Sequence, residues 1–228
     1  MPTCNDCGHP NTSHNDAGCF HDNGGPPCFC RASGESIRFP EEYEPKREYE
    51  LFVDGGVVGA NPSLIGGTYA WRQVANGVAT LEGAHFITPA DARVPAVTNN
   101  LTEMLAMIKG LENLPYDWQG TVLSDSQITL GRVFKGWKWN NIPAWVHRRF
   151  QNVRARLVNY EAFEHVLLAG HPTKKQLEAG VGRHGYRVSI HNVWCDEACK
   201  KAGLDALQQM QFKYQPTPVP AEQAYATN

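Results

Sequence analysis

No apolar run in the sequence approaches the roughly 18 residues needed to cross a bilayer. The first residues, MPTCNDCGHP, lack the basic start and apolar core of a secretory signal. The expectation is a cytoplasmic protein with no membrane partner. An excess of charge of either sign is also missing: 21 Lys+Arg against 23 Asp+Glu leave a net charge of −2. That excludes passive coating of nucleic acid by global charge, although a local groove or bound metal ions can still attract it. Beyond residue 30 cysteine almost disappears, with only Cys195 and Cys199 left. The total of seven is odd, so the cysteines cannot all close into intramolecular bridges, and metal binding is the better reading of the dense cluster. There is no internal repeat. What is present is 228 residues with 42% hydrophobic and 19% charged side chains, enough for one full domain and a small appendage.

The appendage is visible at the N-terminus. Residues 1–33 hold Cys4, Cys7, Cys19, Cys28 and Cys30 with His9, His14 and His21 among glycines and prolines. So short and polar a segment cannot bury enough surface to fold without a staple. Two close cysteine pairs about 20 residues apart suit a structural Zn²⁺, whose thiolate ligands supply the folding energy. The ligand set stays open: Cys4, Cys7, Cys28 and Cys30, or Cys7, His14 and Cys19 with one of the later pair. Such a segment would steer the protein to nucleic acid or to a protein partner. Residues 34–48 read as a charged linker, 49–211 as the main domain, and 212–228, rich in proline, as a disordered tail.

Within the main domain the pattern alternates. Tyr49–Val53 reads as a strand ending at Asp54, and Thr68–Val74 and Val78–Ile87 as a hairpin joined at Asn76-Gly77. Leu101, Met104, Leu105, Ile108 and Leu111 recur at helical spacing. Thr121–Leu123 is a short strand, followed by a helix to Phe134 and the aromatic stretch KGWKWNN. Val146, Phe150, Val153 and Leu157 mark a helix, His165–Leu168 a fifth strand, and Val193–Met210 a closing helix that buries Cys195 and Cys199. The order βββαβαβα, with one extra helix, predicts an α/β fold: a mixed five-stranded sheet flanked by helices.

Four acids fall where that order would gather them. Asp54 and Asp125 each follow a strand, Glu103 faces inward beside Met107 and Leu111, and Asp196 opens the last helix. An inward carboxylate is costly unless it is paired or bound to a cation. Carboxylates without a nucleophile beside them suit Mg²⁺, a hard ion that prefers oxygen ligands.

The local motifs resemble type 1 ribonuclease H. LFVDGG…GANP…GG, TNNLTEM at Thr98–Met104, SDSQ at Ser124–Gln127, and AGH at Ala169–His171 with Asn192-x-x-x-Asp196 follow that family's signature in order. The resemblance spans about residues 49–205. It implies hydrolysis of the RNA strand of an RNA–DNA hybrid by two Mg²⁺ or Mn²⁺ ions held on Asp54, Glu103, Asp125 and Asp196. It further implies that His171 assists the leaving group or product release, and that Asn61, Asn100, Gln127 and Asn192 contact the hybrid. A nuclease for DNA or structured junctions, and a non-catalytic nucleic-acid-binding module, are the alternatives.

The sequence departs from the family's pattern in three places. Gly56 stands where the family has serine, and Ser63 where it has glycine after Asn-Pro. A long basic insert, residues 172–191 with Lys174, Lys175, Arg183 and Arg187, separates His171 from Asn192 and would allow His184 or His191 to take the histidine role. Anchored at both ends beside the acids, it is expected to line the substrate side. Arg148, Arg149, Arg154 and Arg156 are read as a possible phosphate-contacting surface, and Trp137 and Trp139 as packing residues.

Overall fold

The computed structural model describes residues 48–213, together with the backbone of a short ribbon near the N-terminus. The chain divides into two units, Met1–Arg47 and Glu48–Asn228. In the first, His14–Asn15 pairs antiparallel with Gly18–Cys19, which sets His14 opposite Cys19 in register. The remaining candidate zinc residues, the linker and the chain after Lys213 lie outside the described residues.

The second unit is built on five strands: β1 (Tyr49–Val57), β2 (Gly67–Ala75), β3 (Val78–Ile87), β4 (Thr121–Ser124) and β5 (Glu164–Leu167). Their spatial order is β3-β2-β1-β4-β5, antiparallel among the first three and parallel from β1 through β5. This is the mixed sheet that the sequence predicts. Asn76 and Gly77 take φ of 50° and 77°, the left-handed pair that a tight two-residue hairpin requires. The helices are α1 (Pro89–Ala92), α2 (Asn99–Glu112), α3 (Gln127–Phe134), α4 (Ala144–Arg156), α5 (Lys174–Ala179) and α6 (Ile190–Lys213).

Alternation along the central strand divides the core. Leu51 and Val53 pack with α2 and α4, whereas Phe52 packs with Ala70, Leu123, Cys195 and Cys199 under α6. Leu51 and Phe52 are fully buried, a gain on the order of 2 kcal/mol each. Cys195 and Cys199 are buried, as expected of small apolar residues on the inner face of the helix. No helix among the described residues is long and apolar enough to span a membrane.

Three boundaries differ from the sequence reading. The strand containing Asp54 does not stop there: β2 pairs with it as far as Val57, and only the pairing with β4 ends at Phe52. The last helix begins at Ile190 and runs to Lys213, past the start expected for the tail, so Asp196 sits in its second turn. The insert is not a bare loop, because Thr173 and Gln176 form a reciprocal cap that starts α5.

Candidate active site

Asp54 lies where β1 outruns its parallel neighbour, on the face shared with Phe52 and α6. It is 8% exposed, and its Oδ1 accepts from its neighbour's N–H, Gly55 N, at 2.7 Å. Burial, then the charge of Asp125, with smaller contributions from Asp196 and Glu103, pushes its carboxyl up to about 8.

Gly55 lets α2 approach. A Cβ there would overlap the backbone of Thr102 and Glu103. Gly55→Ala is therefore expected to displace the start of α2 at a cost of about 1–3 kcal/mol. A thermal melt in chelator should show a fall of roughly 3–10 °C; an unchanged melt would mean that the contact is not tight.

Thr98 caps α2 by accepting from Leu101 N, and Glu103 sits one turn in. Asn99 Nδ2 donates to Glu103 Oε1 at 2.7 Å, and the Ser126 and Thr129 hydroxyls both donate to Oε2. Burial raises the Glu103 pKa, with the Ser126 bond and the Arg132 charge opposing. These partners were not singled out in the sequence. The signal was available, since Ser126 is the N-cap of α3 and Thr129 lies one turn on.

Asp125 occupies the turn between β4 and α3, where Ser126 N donates to Ser124 Oγ at 3.1 Å. Burial raises its pKa, opposed by the His171 charge and by a hydrogen bond from Asn192. A Cβ on Gly170 would come within 2.6 Å of Asp125 Oδ2, so glycine leaves room for the carboxylate.

Asp196 Oδ2 is 2.5 Å from Lys200 Nζ and 3.5 Å from His171 Nδ1. Asp125, His171, Asn192, Asp196 and Lys200 line one cleft of about 230 Å³. Asn192 is 3% exposed and its Oδ1 has no partner, an acceptor held ready at the cleft wall. His171 takes φ of 46°, a conformation uncommon for a non-glycine residue.

The long insert therefore leaves His171 beside the acids. His191 turns instead to Arg72, with Nδ1 3.4 Å from Nη1, and to the Phe52 ring. His184 is exposed against Tyr186. Neither lines the cleft.

Asn61, Asn100 and Gln127 are all exposed. Asn61 Oδ1 accepts from Asn99 N at 3.2 Å, so it is fixed against the start of α2 next to Glu103. Asn100 and Gln127 stand in the opening turns of α2 and α3.

The arginines of α4 are largely engaged within the protein. Arg149 makes a two-pronged ion pair with Glu112, Arg154 pairs with Glu161, and Arg156 donates to the carbonyls of Leu111, Glu112 and Leu114. Three of the four guanidiniums serve the fold, and Arg148 alone stays exposed without such a pair among the described residues. In the insert, Arg187 is likewise held by Glu50 at 2.8 Å. Trp137 seats against Gly131, and Trp139 packs on His147 and Phe150, as packing residues do.

Among the described residues no three His, Cys, Asp or Glu side chains are grouped so as to hold a metal ion as they stand. The chemistry of the donors still fits a hard cation. The charges of Asp125, Asp196 and Glu103 raise the cost of ionising Asp54, and of the four acids Asp196 has a lysine ammonium in contact. Without a counter-charge such groups repel rather than collapse onto one point.

No protein-family model matches the chain. A ribonuclease H from Syntrophus aciditrophicus (strain SB) is 32% identical over 126 residues, covering 54% of this chain and 64% of that protein. The chain thus spans slightly under two thirds of the length of this curated relative. Among solved structures, the N-terminal RNase H domain of rv2228c from Mycobacterium tuberculosis is 18% identical, with 72% of this chain and 99% of that one covered at a TM-score of 0.49. RNase H1 from Halobacterium salinarum NRC-1 is 21% identical, with 69% and 98% covered at a TM-score of 0.47.

Proposed function

We propose that this chain is a metal-dependent endonuclease that hydrolyses the RNA strand of RNA–DNA hybrids in the cytoplasm. The observation that carries the reading is the approach of Glu103, Asp125 and Asp196, from different parts of the fold, to the buried Asp54 whose ionisation each of them opposes. The name of the 32%-identical relative, a ribonuclease H, supports it.

Asp54, Glu103, Asp125 and Asp196 would hold two Mg²⁺ or Mn²⁺ ions, which when bound supply an activated water and charge stabilisation at the phosphate. Asn99, Ser126 and Thr129 fix the Glu103 carboxylate, and Asn192 fixes that of Asp125. His171, exposed at the rim beside Asp196, would hand a proton to the departing ribose oxygen. Asn61, Asn100 and Gln127 would read the sugar edges, where the 2′-hydroxyl separates RNA from DNA.

Cleavage of labelled hybrid, duplex RNA and duplex DNA, each with Mg²⁺ and with chelator, tests the proposal. Hybrid alone should be cut, and only with the metal. Cutting of duplex DNA or junctions in preference to hybrid would transfer the same site to another substrate.

The Cys/His segment is proposed to hold a structural Zn²⁺ apart from this chemistry, through ligands drawn from Cys4, Cys7, His14, Cys19, Cys28 and Cys30. Since all four carboxylates lie after residue 48, a chain starting at Glu48 should still cut hybrid, with KM raised several-fold and kcat within about twofold of the full chain. Loss of metal-dependent cutting in a truncated chain whose melt is intact would show that the two parts are not independent.

A further inference from the structure

We propose that Lys200 is a tethered counter-ion that occupies Asp196 in the cation-free protein and holds down the affinity of the carboxylate site for divalent metal. The inference rests on the metal-dependent reading above and concerns how that same site is regulated.

The geometry is direct. Lys200 Nζ lies 2.5 Å from Asp196 Oδ2, the same oxygen that His171 Nδ1 approaches at 3.5 Å. Lys200 also lines the cleft with Asp125, Asn192 and Asp196, so its contact with Asp196 is made at the site rather than on a remote helix face.

An i,i+4 pair on a helix is ordinary in itself, and the next position supplies the comparison. Lys201 Nζ lies 2.7 Å from Asp205 Oδ2 on the same helix, yet neither residue lines the cleft. The two pairs share spacing and chemistry and differ in location. Only at Asp196 does the lysine compete for an oxygen that the proposed cation site would use.

Lys200 is able to leave. Its side chain is 64% exposed and its stem has four rotatable bonds. The ammonium competes with incoming metal until an anion draws it away, and in the proposed reaction the nearest anion is the phosphate backbone of the hybrid. Metal and substrate would then strengthen each other's binding, as linkage requires. The lysine sets a threshold against metal loading without substrate.

The test is calorimetric titration of the full chain with Mn²⁺ in the absence of nucleic acid. Lys200→Met is expected to bind Mn²⁺ about fivefold more tightly than wild type, the scale of one partly exposed charge contact. Lys200→Arg, which keeps the charge, should restore the wild-type constant, and Lys201→Met should not change it. Melts in chelator check that each variant is folded. Equal or weaker Mn²⁺ binding by Lys200→Met overturns the inference, and so does an equal gain in Lys201→Met, which would reduce the effect to net charge. A wild type that binds no Mn²⁺ and cuts no hybrid removes the functional reading and this inference with it. A wild type that does both while Lys200→Met binds like wild type removes this inference alone.

Discussion

Asp125→Asn is expected to lower hybrid cleavage by at least about a thousandfold, equivalent to roughly 4 kcal/mol of transition-state stabilisation. The substitution keeps the shape of the side chain and removes a charge that the proposed cations need. It should spare the fold, because Asp125 supports no strand or helix pairing through its carboxylate. Its neighbours are Asp54, Asn192, Asp196, His171 and Gly170, over which its carboxylate lies. In chelator the variant should melt at the same temperature as wild type or higher, since one of several repelling buried acids is gone. A folded Asp125→Asn protein that cuts hybrid at near the wild-type rate would remove Asp125 from the machinery and with it the proposed mechanism. Loss of cutting together with loss of the fold would instead reassign Asp125 to structure.

Much of this site was legible because its acids are attached to punctuation that the chain cannot hide. Asp54 follows a run of apolar residues and precedes glycines, Asp125 sits between a short apolar strand and a serine cap, and Glu103 shares the inner side of a periodic helix. Period-2 and period-3.6 patterns place such residues on elements, and the strand order places the elements together. What the sequence withheld was pairing. The face of α4 carrying Arg149, Arg154 and Arg156 is readable, but a basic face looks the same whether it meets phosphate or Glu112, Glu161 and a row of helix-end carbonyls. The insert was harder for the same reason. Its TKKQ start is a capping box in plain view, yet the bridges of Arg187 to Leu168 and Val181, which fold the segment back and leave His171 beside Asp196, depend on contacts without a local signature.

Asp54→Asn should stabilise the cation-free protein strongly at pH 8 and much less at pH 5. The sign follows from where the carboxyl titrates. Its ordinary value is 3.8, and burial beside Asp125 pushes it up to about 8 in the folded chain. Between those values the unfolded chain has released the proton while the folded chain keeps it. Stability thus falls as pH rises through that window and is fully lost above the folded value. The penalty at pH 8 is on the order of a few kcal/mol. Asparagine is close in shape to the protonated acid, so at pH 5, near the foot of that window, the variant's advantage should shrink to about a third of its pH 8 value. At pH 8 in chelator the variant should melt higher by roughly 5–10 °C. Saturating Mg²⁺ should reverse the ranking, because a cation stabilises only the chain that can offer it an ionised Asp54. Melts at both pH values, with chelator and with Mg²⁺, give four comparisons. Equal melting at pH 8 in chelator would mean that Asp54 bears no electrostatic strain, and an unreversed order in Mg²⁺ would mean that it does not hold the metal.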